Sequence, residues 1–152
     1  MEIKLFLPDQ VEAVFEFEKN RLEGGMSELQ IEMQSWDQPW RKESLQHYSQ
    51  LGWSFVQLDA DDKIQGYILG QPFLFFNNWT QTLWVEHVAF DNPEVGLQLV
   101  DTIVRWAKTK HLQKVLMNCD SSQSSFVKES FPGFNEKGYF HLSTTKLSEE
   151  SQ

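Results

Sequence analysis

Cysteine is almost absent from this chain: Cys119 is the only one in 152 residues. No intramolecular disulfide can form, and a zinc centre would have one thiolate at most. The lone thiol, beside Asp120 and without a local base, reads as buried and inert. His47, His87, His111 and His141 have no paired spacing, and neither HExxH nor CxxC occurs, so no metal site is expected. Basic charge is also scarce, with 13 Lys and Arg against 22 Asp and Glu and a formal net charge of -9. Binding to nucleic acid or to an anionic membrane needs clustered cations, so neither partner is expected. Long-range steering by such a field favours cationic partners instead. No apolar run reaches the ~18 residues of a membrane span. Met1-Glu2-Ile3-Lys4 lacks the basic and apolar stretches of a secretory signal, which predicts a cytoplasmic protein. There is no GxSxG elbow, P-loop or GxGxxG, and Asp59 to Asp62 lack the spacing of a calcium loop.

What is present is one domain's length of chain, 1–152, with a polar, frayed tail over 148–152 and an unusual load of rings. Six Trp, twelve Phe and three Tyr suit core packing and the walls of a pocket or interface, so a homodimer stays open.

Ile3 to Leu7 alternates as a short strand ended by Pro8. Asp9 can cap the helix that follows, whose stripe is Val11, Val14, Phe15 and Phe17 and whose stop is Gly24-Gly25. Ser27 caps a second helix to Gln34 with Leu29, Ile31 and Met33 as its apolar members. After the Trp36–Trp40 loop, Pro39 opens a third helix to about Gln50, using Leu45 and Tyr48. Trp53 to Leu58, the turn Asp59 to Lys63, and Ile64 to Phe76 make a hairpin. Asn77-Asn78 turns the chain into a third antiparallel strand, Thr82 to Phe90. Asn92 as cap and Pro93 at the first helical position start the clearest element, a helix from Pro93 to Lys110. Leu99, Val100, Ile103, Trp106 and Ala107 keep its period. Val115 to Met117 is a short buried strand, parallel to its predecessor through the helix crossover. A small helix over Ser122–Ser130, a break at Phe131-Pro132-Gly133 and a last strand from His141 to Leu147 complete the chain.

This order resembles the GCN5-related N-acetyltransferase (GNAT) superfamily. Ile64-Gln65-Gly66-Tyr67-Ile68-Leu69-Gly70 is similar to its central strand. Trp84 to Phe90 is similar to the strand before its cofactor loop, Leu99 to Lys108 to the helix after it, and Lys137-Gly138-Tyr139 to a point near its end. The fold implied is α/β (α+β), a mixed, mostly antiparallel central sheet flanked by helices. The activity implied is transfer of an acetyl group from acetyl-coenzyme A (acetyl-CoA) to the amine of a small molecule or peptide. Substrate would enter near the N-terminal helices and the Trp36–Trp40 loop.

The resemblance also implies site residues. Glu86 takes the place of a general base, which acyl transfer needs because the amine must be neutral to attack. Val88, Ala89 and Phe90 offer backbone to the cofactor's pantetheine arm. Val95, Gly96 and Leu97 fall at the pyrophosphate loop, which in the family runs Arg/Gln-x-x-Gly-x-Gly/Ala. Here Asp91 stands for the arginine, Glu94 for the first glycine, and the loop is short. A carboxylate in a first helical turn suits the helix dipole and repels a phosphate, so a plain capped helix and a phosphate cradle are both open. Phe134 replaces a tyrosine that in many members protonates the leaving thiolate. Strand alternation sets His87, as a hydrogen-bonded core histidine, on the face opposite Glu86. A GNAT-fold binding or regulatory protein without acetyl-CoA binding is the alternative function.

Overall fold

The computed structural model describes residues 2–21, 27–76, 79–118, 127, 129–131, 134–136 and 139–144. In chain order these form β1 (Glu2–Leu5), a 3-10 turn (Pro8–Gln10), α1 (Val11–Arg21), α2 (Glu28–Ser35), α3 (Lys42–Leu51), β2 (Phe55–Leu58), β3 (Ile64–Phe76), β4 (Trp79–Phe90), α4 (Pro93–Thr109), β5 (Lys114–Asn118), β6 (Phe134–Glu136) and β7 (Tyr139–Ser143). The strands make a mixed sheet in the order β1-β2-β3-β4-β5-β7-β6. β4 and β5 run parallel, and every other neighbouring pair is antiparallel. The expected mixed, mostly antiparallel sheet with flanking helices is what the chain adopts.

Helix α4 covers one face. Its Val95, Leu99, Val100, Ile103 and Ala107 are buried against Phe55, Ile68, Leu83, Val85, Val88, Val115 and Met117. Each such valine, leucine or isoleucine contributes roughly 1.5–3 kcal/mol by leaving water. The helix lies directly on β3, because a Cβ added at Gly66 would come 2.7 Å from Val95 Cγ1, and one at Gly70 would meet Trp53 O at 2.5 Å and Ile103 Cδ1 at 2.8 Å. Only glycine leaves room there. Helices α1 and α3 cover the other face, where Val14, Phe15, Phe17, Leu45 and Tyr48 pack on Val56, Leu58, Tyr67, Leu69 and Ala89.

Several local expectations change. The chain enters α1 through the 3-10 turn with Leu7 at its cap, so Asp9 lies inside that turn instead of capping the helix. The Gln10 side chain accepts the Leu7 N–H at 2.9 Å in its stead. Ser27 does cap α2, accepting the Gln30 N–H at 3.2 Å. Leu29 and Met33, however, are 64% and 52% exposed, so α2 does not bury the apolar stripe its sequence offers. α3 begins at Lys42, after Arg41, and not at Pro39. The C-terminal strand starts earlier than expected, at Tyr139, and pairs with the unforeseen strand β6. The Gly24-Gly25 stop, the Asn77-Asn78 turn, Cys119, the 148–152 tail and most of the Ser122–Ser130 helix lie outside the described residues.

Candidate active site at the β4 bulge

Strand β4 is regular up to Val85 and then gains a residue against β3. Val85 pairs with Gly70 and His87 with Leu69, leaving Glu86 as the extra residue of a β-bulge. The bulge resets the alternation. Val85 and Val88, three apart, both join the cluster under α4. Glu86 and His87 consequently both meet residues of the α1/α3 face, which corrects the expectation that His87 points away from Glu86. Unbroken alternation would have separated them, and the extra residue removes that separation.

The exposed Glu86 carboxylate accepts the Trp84 indole N–H at 2.5 Å. The Tyr48 phenol on α3 hydrogen-bonds the same carboxylate. Burial first, and then the Glu86 charge and that bond, push Tyr48 well above its ordinary range, so it stays a neutral donor. Two donors from two elements thus fix the carboxylate's orientation.

Half-buried His87 places Nε2 3.1 Å from Oε1 of Glu18 on α1. The buried Tyr67 hydroxyl donates to the same oxygen, and Arg21 Nη1 lies 3.5 Å from the other. Burial by itself would raise the Glu18 carboxyl. The bonds from His87 and Tyr67, with the charges of His87 and Arg21, outweigh it and hold Glu18 below its ordinary value. Tyr67 is pushed well above the phenol range by burial first and then by Glu18. Arg21 Nε also reaches Asp91 Oδ1 at 3.7 Å, which ties α1 to the β4–α4 connection. A groove of ≈ 530 Å³ opens beside this cluster, walled by Phe17, Asn20, Arg21, Lys63, Gln65 and Asp91. A second groove, ≈ 430 Å³, lies between α1, α2 and the start of α3, with Phe15, Glu16, Lys19, Glu32, Trp36 and Arg41 in its walls.

Sequence reasoning did not foresee Glu18, Tyr67, Arg21 or Tyr48 as neighbours of the site. One signal was available: Val11, Val14, Phe15 and Glu18 fall at i, i+3, i+4 and i+7, so a carboxylate sits on the buried stripe of α1. Burying it without partners would be costly.

The remaining expected residues lie along the seam of β4, β5 and α4. β4 pairs with β5 only from Thr82 opposite Lys114 to Val85 opposite Met117. Beyond Val85 the ladder between β4 and β5 does not continue among the described residues. Val88 and Ala89 are buried, and Phe90 is half-buried. The connection to α4 is two residues long, Asp91 and Asn92. Val95 and Gly96 are buried and Leu97 half-buried. At the helix start the Asn92 side chain accepts the Glu94 N–H at 2.9 Å, and Asn92 O accepts the N–H of Val95 at 2.9 Å and of Gly96 at 3.3 Å.

No family model and no curated protein matches the sequence. The structure does have neighbours. It is similar to the PaiA N-acetyltransferase of Thermoplasma acidophilum in complex with coenzyme A, with TM-score 0.62 at 16% identity over 93% of this chain and 96% of that one. It is similar to an acetyltransferase of the GNAT family from Staphylococcus aureus Mu50, with TM-score 0.63 at 14% identity over 95% and 99%. It is similar to the polyamine N-acetyltransferase of Drosophila melanogaster, which forms N-acetylagmatine, with TM-score 0.62 at 13% identity over 93% and 96%. The chain therefore has the fold of the GNAT superfamily, the fold of these three acetyltransferase structures. No helix among the described residues is long and apolar enough to cross a membrane.

Proposed function

We propose that this chain is an N-acetyltransferase that moves an acetyl group from acetyl-CoA to an amine, with Glu86 as general base. The observation that carries this reading is the β4 bulge. It presents an oriented carboxylate where β4 leaves β5, on a fold whose neighbours are acetyltransferases. The stretch of β4 beyond its ladder with β5, where Val88, Ala89 and Phe90 lie, suits the pantetheine arm, because an extended amide chain pairs with strand backbone. Acetyl-CoA, when bound, supplies the activated thioester. Glu86 takes a proton from the acceptor ammonium, while Trp84 and Tyr48 hold the carboxylate in place. The freed amine forms the C–N bond as the thioester C–S bond breaks; the acylated nitrogen gives up its extra proton to solvent, and the departing thiolate takes one up from solvent, so the protons balance.

The acceptor enters through the groove between α1, α2 and α3, where the exposed indole of Trp36 and the carboxylate of Glu32 can meet a cation, beside a Glu16 that is already paired with Lys19 at 3.3 Å. Agmatine and polyamines are the natural first acceptors to try, given the Drosophila neighbour. We place the protein in the cytoplasm, where acetyl-CoA is made and used.

A second reading, a GNAT-fold binding protein without acetyl-CoA uptake, is favoured by the start of α4, where the N–H groups are already bonded and Glu94 occupies the first turn. Calorimetric titration with acetyl-CoA and with free CoA separates the two. Micromolar binding, followed by thiol release on adding an amine, supports the enzyme. No heat at millimolar ligand leaves the binding protein.

A further inference from the structure

We propose that the outer face of α2 is a docking surface for a basic amphipathic helix of a partner protein. The surface is separate from Glu86 and from the donor positions on β4 and α4, and it stands whether or not the chain transfers an acetyl group.

Four large hydrophobic side chains are exposed among the described residues, Leu7, Leu29, Met33 and Trp36, and three of them belong to α2 and its C-terminal cap. Exposed apolar residues scattered singly are ordinary, whereas a cluster marks a surface for something else. Leu29, Met33 and Trp36 fall at i, i+4 and i+7, so they form one stripe. Ile31 and Ser35 turn the other way, into the wall of the groove beside α1, and Trp36 stands at the rim between the two. Of the described α2 side chains only Ser35 is buried, and its hydroxyl donates to Glu32 O of the same helix at 2.6 Å. A helix of eight residues is marginal in water unless an amphipathic face is packed. Covering the stripe would therefore stabilise α2 itself.

Charge selects the occupant. From residue 22 to residue 40 the sequence has Glu23, Glu28, Glu32 and Asp37 and neither Lys nor Arg. Glu32 and Asp37 are exposed. The three cations in the groove wall are engaged: Lys19 with Glu16 at 3.3 Å, Lys42 with Glu12 at 3.0 Å, and Arg41 with Glu43 and with Trp36 O. The border of the stripe is thus negative, on a chain of net charge -9. A second copy would bring two acidic borders together, and an anionic membrane or a nucleic acid meets the same repulsion. A helix with apolar anchors at matching spacing and Lys or Arg beside them meets no such obstacle. Its apolar side covers Leu29, Met33 and Trp36, and its cations face Glu32 and Asp37.

The test is fluorescence anisotropy of the full chain with a labelled amphipathic peptide of Leu and Lys, about 18 residues long. Two control peptides keep the pattern, one with Glu in place of Lys and one with Ser in place of Leu. The Leu–Lys peptide should bind in the micromolar range, about tenfold or more tighter than either control, and more weakly as salt is raised. The double substitution Leu29→Ser with Met33→Ser, on exposed positions, should weaken it about tenfold or more and leave circular dichroism unchanged. Hydrogen exchange should show the α2 amides protected by the peptide. No binding, or binding that the double substitution leaves unchanged, overturns the proposal. So does equal binding of the Leu–Glu peptide. A dimer of the free chain that the double substitution dissolves would assign the stripe to a second copy and overturn it as well.

Discussion

The two faces of the sheet are built on different principles. Under α4 the packing is uncharged and almost wholly apolar, broken by the buried Gln57, whose Nε2 donates to Gln98 Oε1 at 2.7 Å, and two glycines let the helix sit on the strand backbone. Under α1 and α3 the apolar packing is interrupted by a buried carboxylate with a histidine, a tyrosine and an arginine around it, and by a second carboxylate at its edge. The first face fixes where β4 and α4 lie. The second carries the ionisable groups Glu18, His87 and Glu86. A one-residue bulge connects the two, because it turns Glu86 and His87 to the same side while Val85 and Val88 keep to the other. Rigid packing on one side thereby positions the polar groups on the other.

Breaking the polar face should have the largest effect on stability. Glu18→Ala leaves Arg21, His87 and the Tyr67 hydroxyl without their common partner. Loss of one member of a buried, charged network costs about 3–5 kcal/mol, to be read from urea unfolding. The apolar face should respond less. Gly70→Ala puts a methyl against Trp53 O and Ile103 Cδ1, and the overpacking costs about 1–3 kcal/mol in the same assay. The faces also differ in their response to acid. Glu18 is held below its ordinary carboxyl value of 4.5, so its contribution is complete above that pH and is lost as pH falls through the folded value. Glu18→Gln should therefore flatten the acid limb of the stability curve, and Gly70→Ala should shift the whole curve without changing its shape. Smallest of all is a substitution on neither face: Leu29→Ser on exposed α2 should alter stability by no more than about 0.5 kcal/mol.

Legibility followed the same division. The α4 face could be read from the chain: Asn92-Pro93 marks the helix start, the apolar period marks the buried side, and β3 runs over the residues its pattern gives, Ile64 to Phe76. These are local signals, and packing agrees with them. The chemical face was only half visible. Glu86 could be singled out through the family resemblance, but its neighbours could not. Glu18, Tyr48 and His87 lie on three elements far apart in the chain. The stretch Thr82 to Phe90 shows no mark of the extra residue at Glu86, because a bulge is a property of a strand pair and appears only when β3 is set beside it. The expected packing of Leu29 and Met33 failed for a related reason. An apolar stripe reports what a helix could bury, and no described neighbour covers that side of α2. Strand β6 is three residues long, too short for alternation to announce.

In the proposed reaction acyl transfer is driven from the bulge, with Glu86 as the base. The most direct test is thiol release from the thioester donor with a panel of cationic amines, for the native chain and for Glu86→Gln, across pH. The native chain should turn over and Glu86→Gln should lose about 10²–10⁴-fold in kcat, with the limb that reports the base removed and the fold unchanged by circular dichroism. An unaltered rate and pH profile in Glu86→Gln would contradict it.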